Sequence, residues 1–315
     1  MVYSALSAVA VISQFTRRKA IKITTAGTST PAAYQIKVTI AYEPAMQTSF
    51  QDIRFNTKNQ VYIDYWIESF TASTTATVWL ELPNAITDPG SDTIWMYYGN
   101  AGVSDGSNIK DTFIFGDDFE DGDYSQYTTF NGVWVESNGI LQQTNTGTGV
   151  KKIYKDIGIT DYILEAKMRP DTFGIDTRMG INGRINTGDI YRVGYSATVM
   201  YNNVTKLSIF DDELAWGTPV STGFTYTAGT WYNLELALIG NAQYAKSWIV
   251  GTSRPSSYLV TQAYTTHTTE TNIGFYAGYS SAMSFDDVRV RKYIAIEPTA
   301  TLGTEQHQRR VPTFL

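Results

Sequence analysis

Phe115-Gly116-Asp117-Asp118-Phe119-Glu120-Asp121-Gly122-Asp123 is answered about 165 residues later by Ser284-Phe285-Asp286-Asp287-Val288-Arg289-Val290-Arg291. The two acidic stretches read as the first and last strands of one β-sandwich. A sandwich often sets its terminal strands side by side, which would bring both sets of carboxylates within reach of one cation. They also divide the chain. With 315 residues in all, the part before the first stretch and the part between the two are each long enough for a core of their own.

Outward from these brackets the pattern stays β. Before them, Ala20-Ile21-Lys22-Ile23-Thr24 and Tyr34-Gln35-Ile36-Lys37-Val38-Thr39-Ile40 alternate apolar and polar residues with period two. Asp52-Ile53-Arg54-Phe55, Tyr62–Glu68, Ala76–Leu82 and Thr93–Tyr98 follow, separated by turn residues such as Asp88-Pro89-Gly90 and Gly99-Asn100. Between the brackets, Gly132–Leu141 reads as a hairpin turning at Asn138-Gly139. Asp161–Arg169, Ile190–Tyr195, Thr205–Phe210 and Thr230–Leu238 read as further strands. No stretch holds a helical period over three turns. The fold class expected is all-β, two tandem antiparallel β-sandwich (jelly-roll) domains.

Composition narrows the function. The aromatic share is 14% and the apolar share 43%, so the chain can fold around a core. A net charge of -6 and a pI near 5.0 oppose binding to nucleic acid. There is no cysteine, which excludes disulfides and thiolate metal sites. No apolar run approaches the ~20 residues of a membrane span. The apolar segment Val2–Ile12 has its cations, Arg17-Arg18-Lys19, after it and not before it. That order is wrong for a secretory signal, and the segment reads as a strand or packed arm.

The ordered set Asp52-Ile53-Arg54-Phe55, Asp64-Tyr65-Trp66-Ile67-Glu68, Ala76-Thr77-Val78-Trp79-Leu80 and Ile94-Trp95-Met96-Tyr97-Tyr98-Gly99-Asn100 resembles the domain of unknown function DUF2341. The resemblance covers roughly residues 15–113. It departs at the start, where Phe15 stands near the place of the family's usual Trp. That family occurs in bacterial and archaeal surface proteins and in phage-like proteins, and implies no activity. The later strands, closing on Phe285-Asp286-Asp287-Val288-Arg289-Val290, resemble a concanavalin A-like (laminin-G-like) jelly roll. The expected division is an arm at 1–14, a DUF2341-like sandwich at 15–113, a jelly roll at 114–304 and a polar tail at 305–315.

The second resemblance implies a structural Ca²⁺ near the terminal strands, with Asp117, Asp118, Asp286 and Asp287 as ligands. Calcium takes several oxygen ligands, and these residues supply them. The rival reading is a solvated acidic turn with Asp287 capping backbone amides. For a sugar, aromatic faces beside polar groups are the relevant chemistry. Trp216 lies in a polar, Gly/Pro-bounded loop, while Tyr191, Arg192, Tyr195, Tyr276 and Tyr279 are placed to line the concave sheet. Ordinary Tyr-rich sheet surface is the alternative for each. Trp134, Trp231 and Trp248 read as core.

Catalysis is not expected. Glucan-hydrolysing relatives of this jelly roll carry carboxylates alternating on one strand at hydrolytic spacing. Here Glu165 and Glu235 stand alone on their strands, and His267 and His307 have no nucleophile beside them. The expectation is a non-catalytic surface or adhesion protein recognising a glycan or cell-surface ligand through its second domain, at an extracellular surface or on a virion. The alternative is a structural subunit of a virion or extracellular filament. In that case residues 2–12 would add a strand to a neighbouring copy.

Overall fold

The computed structural model describes residues 12–174, 177–187, 195–201, 205–211, 220–278 and 281–308. The chain forms two compact units: residues 1–113 together with 294–315, and residues 114–293. The second unit is therefore nested within the sequence of the first.

The first unit begins with β1 (Arg17–Thr24), β2 (Tyr34–Ala41), β3 (Arg54–Thr57), β4 (Tyr62–Ile63), β5 (Tyr65–Thr71), β6 (Thr75–Leu82), β7 (Ser91–Tyr98) and a one-turn helix, α1 (Ile109–Thr112). The alternation of β2 is decisive for its orientation. Tyr34, Ile36, Val38 and Ile40 are buried while Lys37 and Thr39 are exposed, as a strand with one wet face requires. Those four meet Ile21, Ile23, Phe50, Phe55, Ile94 and Met96 in one core. Full burial of each such side chain is worth roughly 1.5–3 kcal/mol. On the other face of β6, Trp79 packs with Trp66, Ile109 and Phe113. Asn108 caps α1, its side-chain oxygen accepting from Lys110 N at 2.8 Å.

The second unit holds β8 (Phe115–Asp117), β9 (Thr128–Asn131), β10 (Trp134–Ser137), β11 (Ile140–Gln143), β12 (Lys151–Asp156), β13 (Tyr162–Thr172), β14 (Thr177–Gly183) and β15 (Tyr195–Tyr201). It continues through β16 (Thr205–Asp211), β17 (Val220–Ser221), β18 (Tyr232–Ile239), β19 (Ala242–Ile249), β20 (Val260–Ala263), β21 (Asn272–Gly278) and β22 (Ala282–Arg291). One sheet has the order β10-β11-β22-β13-β18-β19-β20, with β8 also on β22; the other runs β17-β16-β15-β14-β21-β12-β9. All pairings are antiparallel. Leu164, Ala166 and Met168 of β13 face Met179, Ile181, Ile153 and Phe275 of the other sheet in the core. Phe275 and Phe285 stack across it at 4.1 Å. The hairpin turns at Asn138-Gly139, both at positive φ (53° and 70°), the geometry Asn-Gly favours.

The last strand corrects the expected boundaries. β23 (Thr299–His307) belongs to the first unit, where it pairs with β1 from Arg17↔His307 to Thr24↔Thr299. The first unit's sheets are thus β23-β1-β7-β3-β4 and β2-β6-β5. The second unit ends at Tyr293, before the expected limit at residue 304, and residues 305–307 lie in β23, where a tail was expected. The segment proposed for strand addition, residues 2–12, lies outside the described residues except for Ile12.

Candidate functional site

The outward face of the second unit's seven-stranded sheet is set by register. Ile153, Phe275, Ile181 and Ile209 point into the core, so the residues alternating with them point out. Lys152 pairs with Tyr276 and Tyr276 with Gly180; Tyr154 pairs with Gly274 and Gly274 with Asn182; Arg178 pairs with Gly278. Lys152, Asn182, Ser208 and Tyr276 are fully buried, and Arg178 nearly so. The Ser208 hydroxyl is enclosed without a hydrogen-bond partner among the described residues, a costly state for a polar group.

The accessible edge of this face is aromatic. Phe130 of β9 is 38% exposed, and the Lys152 ammonium lies 5.0 Å from its ring centroid. Tyr154 is half-buried. Its cross-strand neighbour Gly274 brings no side chain to cover the ring. A Cβ there would stand 2.1 Å from the Ile153 carbonyl oxygen, so only glycine fits. Two aromatic rings at an accessible sheet edge suit a ligand with apolar CH faces.

The structure redistributes the expected sugar-site residues. Tyr276 is on this face but fully buried against Val150, so it forms the floor and offers no ring to a ligand. Gly278 permits that, since a Cβ there would meet the Tyr276 hydroxyl at 2.6 Å. Tyr195 opens β15 opposite Gly183 and Asp211. Tyr191, Arg192, Trp216 and Tyr279 lie outside the described residues. Phe130 and Tyr154 escaped the sequence reading. Tyr154 was findable, because the core position of Ile153 turns its neighbour outward. Two tryptophan readings also change. Trp134 is core, but Trp231 is only half-buried under the Arg169 guanidinium, 5.1 Å away. Trp248, although buried, pairs with Asn233 on the face away from the core.

The acidic brackets do adjoin, with β8 running beside β22 and Asp117 opposite Val288. Their carboxylates, however, have separate protein partners. Asp117 is buried and accepts from Phe119 N at 3.2 Å and from the Gln126 amide. Asp118 is half-buried beside it. Asp286 and Asp287 both pair with the Lys167 ammonium, Asp286 at 3.1 Å. Burial and then Asp287 push the Asp286 carboxyl up to about 6 against the pull of Lys167. Burial opposes charge on Lys167 too, yet Asp287 and Asp286 hold it above the ordinary lysine range. Among the described residues no three His, Cys, Asp or Glu side chains gather as a group that could hold a metal ion. Asp117, Asp118, Asp286 and Asp287 do not form such a group there.

On the outward face of the eight-stranded sheet, Glu165 and Glu235 stand directly opposite each other on β13 and β18. The sequence reading had them alone on their strands, and the pairing of distant strands brings them together. Both are buried, at 3% and 0% exposure. Glu165 is held by Arg289 and, at 3.0 Å, by Arg291. Glu235 takes Arg254 through two hydrogen bonds of 2.8 and 2.9 Å, with Lys246 at 3.6 Å. All four carboxylate oxygens thus face cations of the protein. A glycosidase pair must instead face the sugar and exchange protons with it.

In the first unit the motif residues build scaffold. Asp52 accepts from Gln47 N and Gly99 N, both at 2.8 Å, and from Asn100 N at 3.1 Å. Arg54 donates to the carbonyls of Gln51, Ile53 and Ser104 and to the Tyr65 hydroxyl. Gly99 takes φ +84°, and a Cβ there would meet the Thr16 hydroxyl at 2.3 Å. The Asp-Ile-Arg-Phe and Tyr-Tyr-Gly-Asn motifs are two halves of one hydrogen-bonded joint.

Residues 49–138 match the family model described as "Domain of unknown function (DUF2341)". None of the curated proteins matches the chain. Among solved structures, a carbohydrate binding module, CBM66 from Bacillus subtilis, is similar at 12% identity and TM-score 0.40, over 53% of this chain and 96% of that one. The Ca²⁺-bound exoplasmic/lumenal domain of VIP36 is similar at 10% identity and TM-score 0.44, over 59% and 95%. A beta-1,3-glucanase from Mycobacterium marinum is similar at 14% identity and TM-score 0.39, over 56% and 98%.

Proposed function

We propose that the second unit is a non-catalytic, glycan-binding module of the concanavalin A-like kind, and that the first unit is its β-sandwich platform at an extracellular or virion surface. The observation that carries this reading is the outward face of β9, β12, β21 and β14. Phe130 and Tyr154 supply ring faces at its accessible edge, with the Lys152 ammonium packed against the Phe130 ring. The non-catalytic part rests on Glu165 and Glu235, whose oxygens are all engaged by Arg289, Arg291, Arg254 and Lys246.

The test is a glycan array probed with the intact chain and with its Tyr154→Ala and Phe130→Ala variants. Binding to one sugar class, lost in both variants without loss of fold by circular dichroism, is the expected result. Retention of binding in both variants would move the site elsewhere, and release of shorter sugars would make the protein a hydrolase.

A further inference from the structure

Asp286 and Asp287 are neighbours in sequence, and in a regular strand their side chains would point to opposite faces. They do not, because β22 bulges between them and β13. Glu165 pairs with Arg289, but Lys167 pairs with Asp286, which leaves Asp287 and Val288 together opposite Ala166. Asp287 absorbs the extra residue at φ +48°, a left-handed conformation uncommon outside glycine. The outcome is that Val288 keeps its core position while both carboxylates turn to the same lysine. Asp287 is buried, and the Lys167 and Asp286 side chains are only 26% and 20% exposed. Two carboxylates held this close, largely out of water, repel each other unless a cation lies between them.

We propose that Lys167 is that cation: the place a divalent ion would take at the closing strand is filled by a side chain of the fold itself. Closure of the second unit then needs no metal. The bulge is the device that makes the arrangement work, since it brings the second carboxylate round to the ammonium. A corollary is that removing the lysine side chain leaves two converging carboxylates and a space for a hydrated ion, which is a divalent-cation site in latent form.

The experiment is thermal melting of the intact chain in chelator and in millimolar Ca²⁺, for the wild type and four variants: Lys167→Arg, Lys167→Ala, Asp286→Asn and the double variant Lys167→Ala with Asp286→Asn. The wild type should melt at the same temperature in both. Lys167→Arg, which keeps a cation, should behave likewise. Lys167→Ala should melt several degrees lower in chelator and recover in Ca²⁺, because an ion that binds only the folded state raises its melting temperature. The double variant Lys167→Ala with Asp286→Asn relieves the repulsion and should melt above Lys167→Ala in chelator, with no response to Ca²⁺. A wild-type Ca²⁺ shift that Asp286→Asn removes would overturn the proposal, and so would a Lys167→Ala protein indifferent to Ca²⁺. If Lys167→Ala fails to fold in either buffer, the double variant decides. Recovery of fold supports the proposal, and continued failure overturns it.

Discussion

Three backbone amides converge on Asp52, one from its own loop and two from the turn after β7. A buried carboxylate that satisfies three donors is a joint that no other residue type makes as well. Replacing it with alanine leaves Gln47, Gly99 and Asn100 N–H groups without their acceptor. Asp52→Ala should therefore cost the first unit about 2–3 kcal/mol in chemical denaturation, and Asp52→Asn, which can still accept one or two of the bonds, should cost less. The residue was legible as a motif but not as a joint, because its partners lie 47 and 48 positions away. The tryptophans show the same limit. Trp134 opens β10 and Trp231 immediately precedes β18, and periodicity alone cannot say which way either ring turns. Packing decided it, sending Trp134 to the core and Trp231 to the underside of Arg169.

At the scale of elements, the strongest constraint is the ion ladder across β22, β13, β18 and β19. Glu165 compensates two buried guanidiniums, Arg289 and Arg291, which are 3% and 2% exposed. Removing one partner of a buried pair leaves charge stranded in a poor solvent, at a cost near 3–5 kcal/mol. Glu165→Gln should lose about that much in urea denaturation of the second unit, whereas an exchange at an exposed loop position such as Ser256→Ala should change little. A Glu165→Gln protein of wild-type stability would mean that the two arginines find other partners. Strands such as β2, β6 and β18 were readable from period-two alternation, and the β10–β11 hairpin from Asn138-Gly139; β12, β14, β19 and β21 were not. The ladder was not, because the register between strands is set by the whole sheet and is not written in any one strand.

For the whole molecule, the consequential feature is the return of β23 to the first unit. Local pattern could not reveal it: Glu297-Pro298 reads as an ending, and the strand's pairing with β1 spans the entire inserted unit. The acidic brackets, by contrast, marked the inserted unit well, since β8 and β22 are its adjoining first and last strands. A chain stopped after Tyr293 loses β23 and leaves β1 as an open edge. Scanning calorimetry of that truncation should show the first unit's transition lowered or gone while the second unit's survives. Loss of both would mean that the units fold as one.

Isothermal titration tests the outward face edged by Phe130 and Tyr154 most directly. The intact chain and its Tyr154→Ala variant would each be titrated with the sugar most strongly retained on the array. Saturable heat near one site per chain, with affinity about tenfold weaker in the variant, is predicted, and no steady heat of turnover should follow saturation. Equal affinities in the two proteins, or continuing heat from hydrolysis, would contradict it.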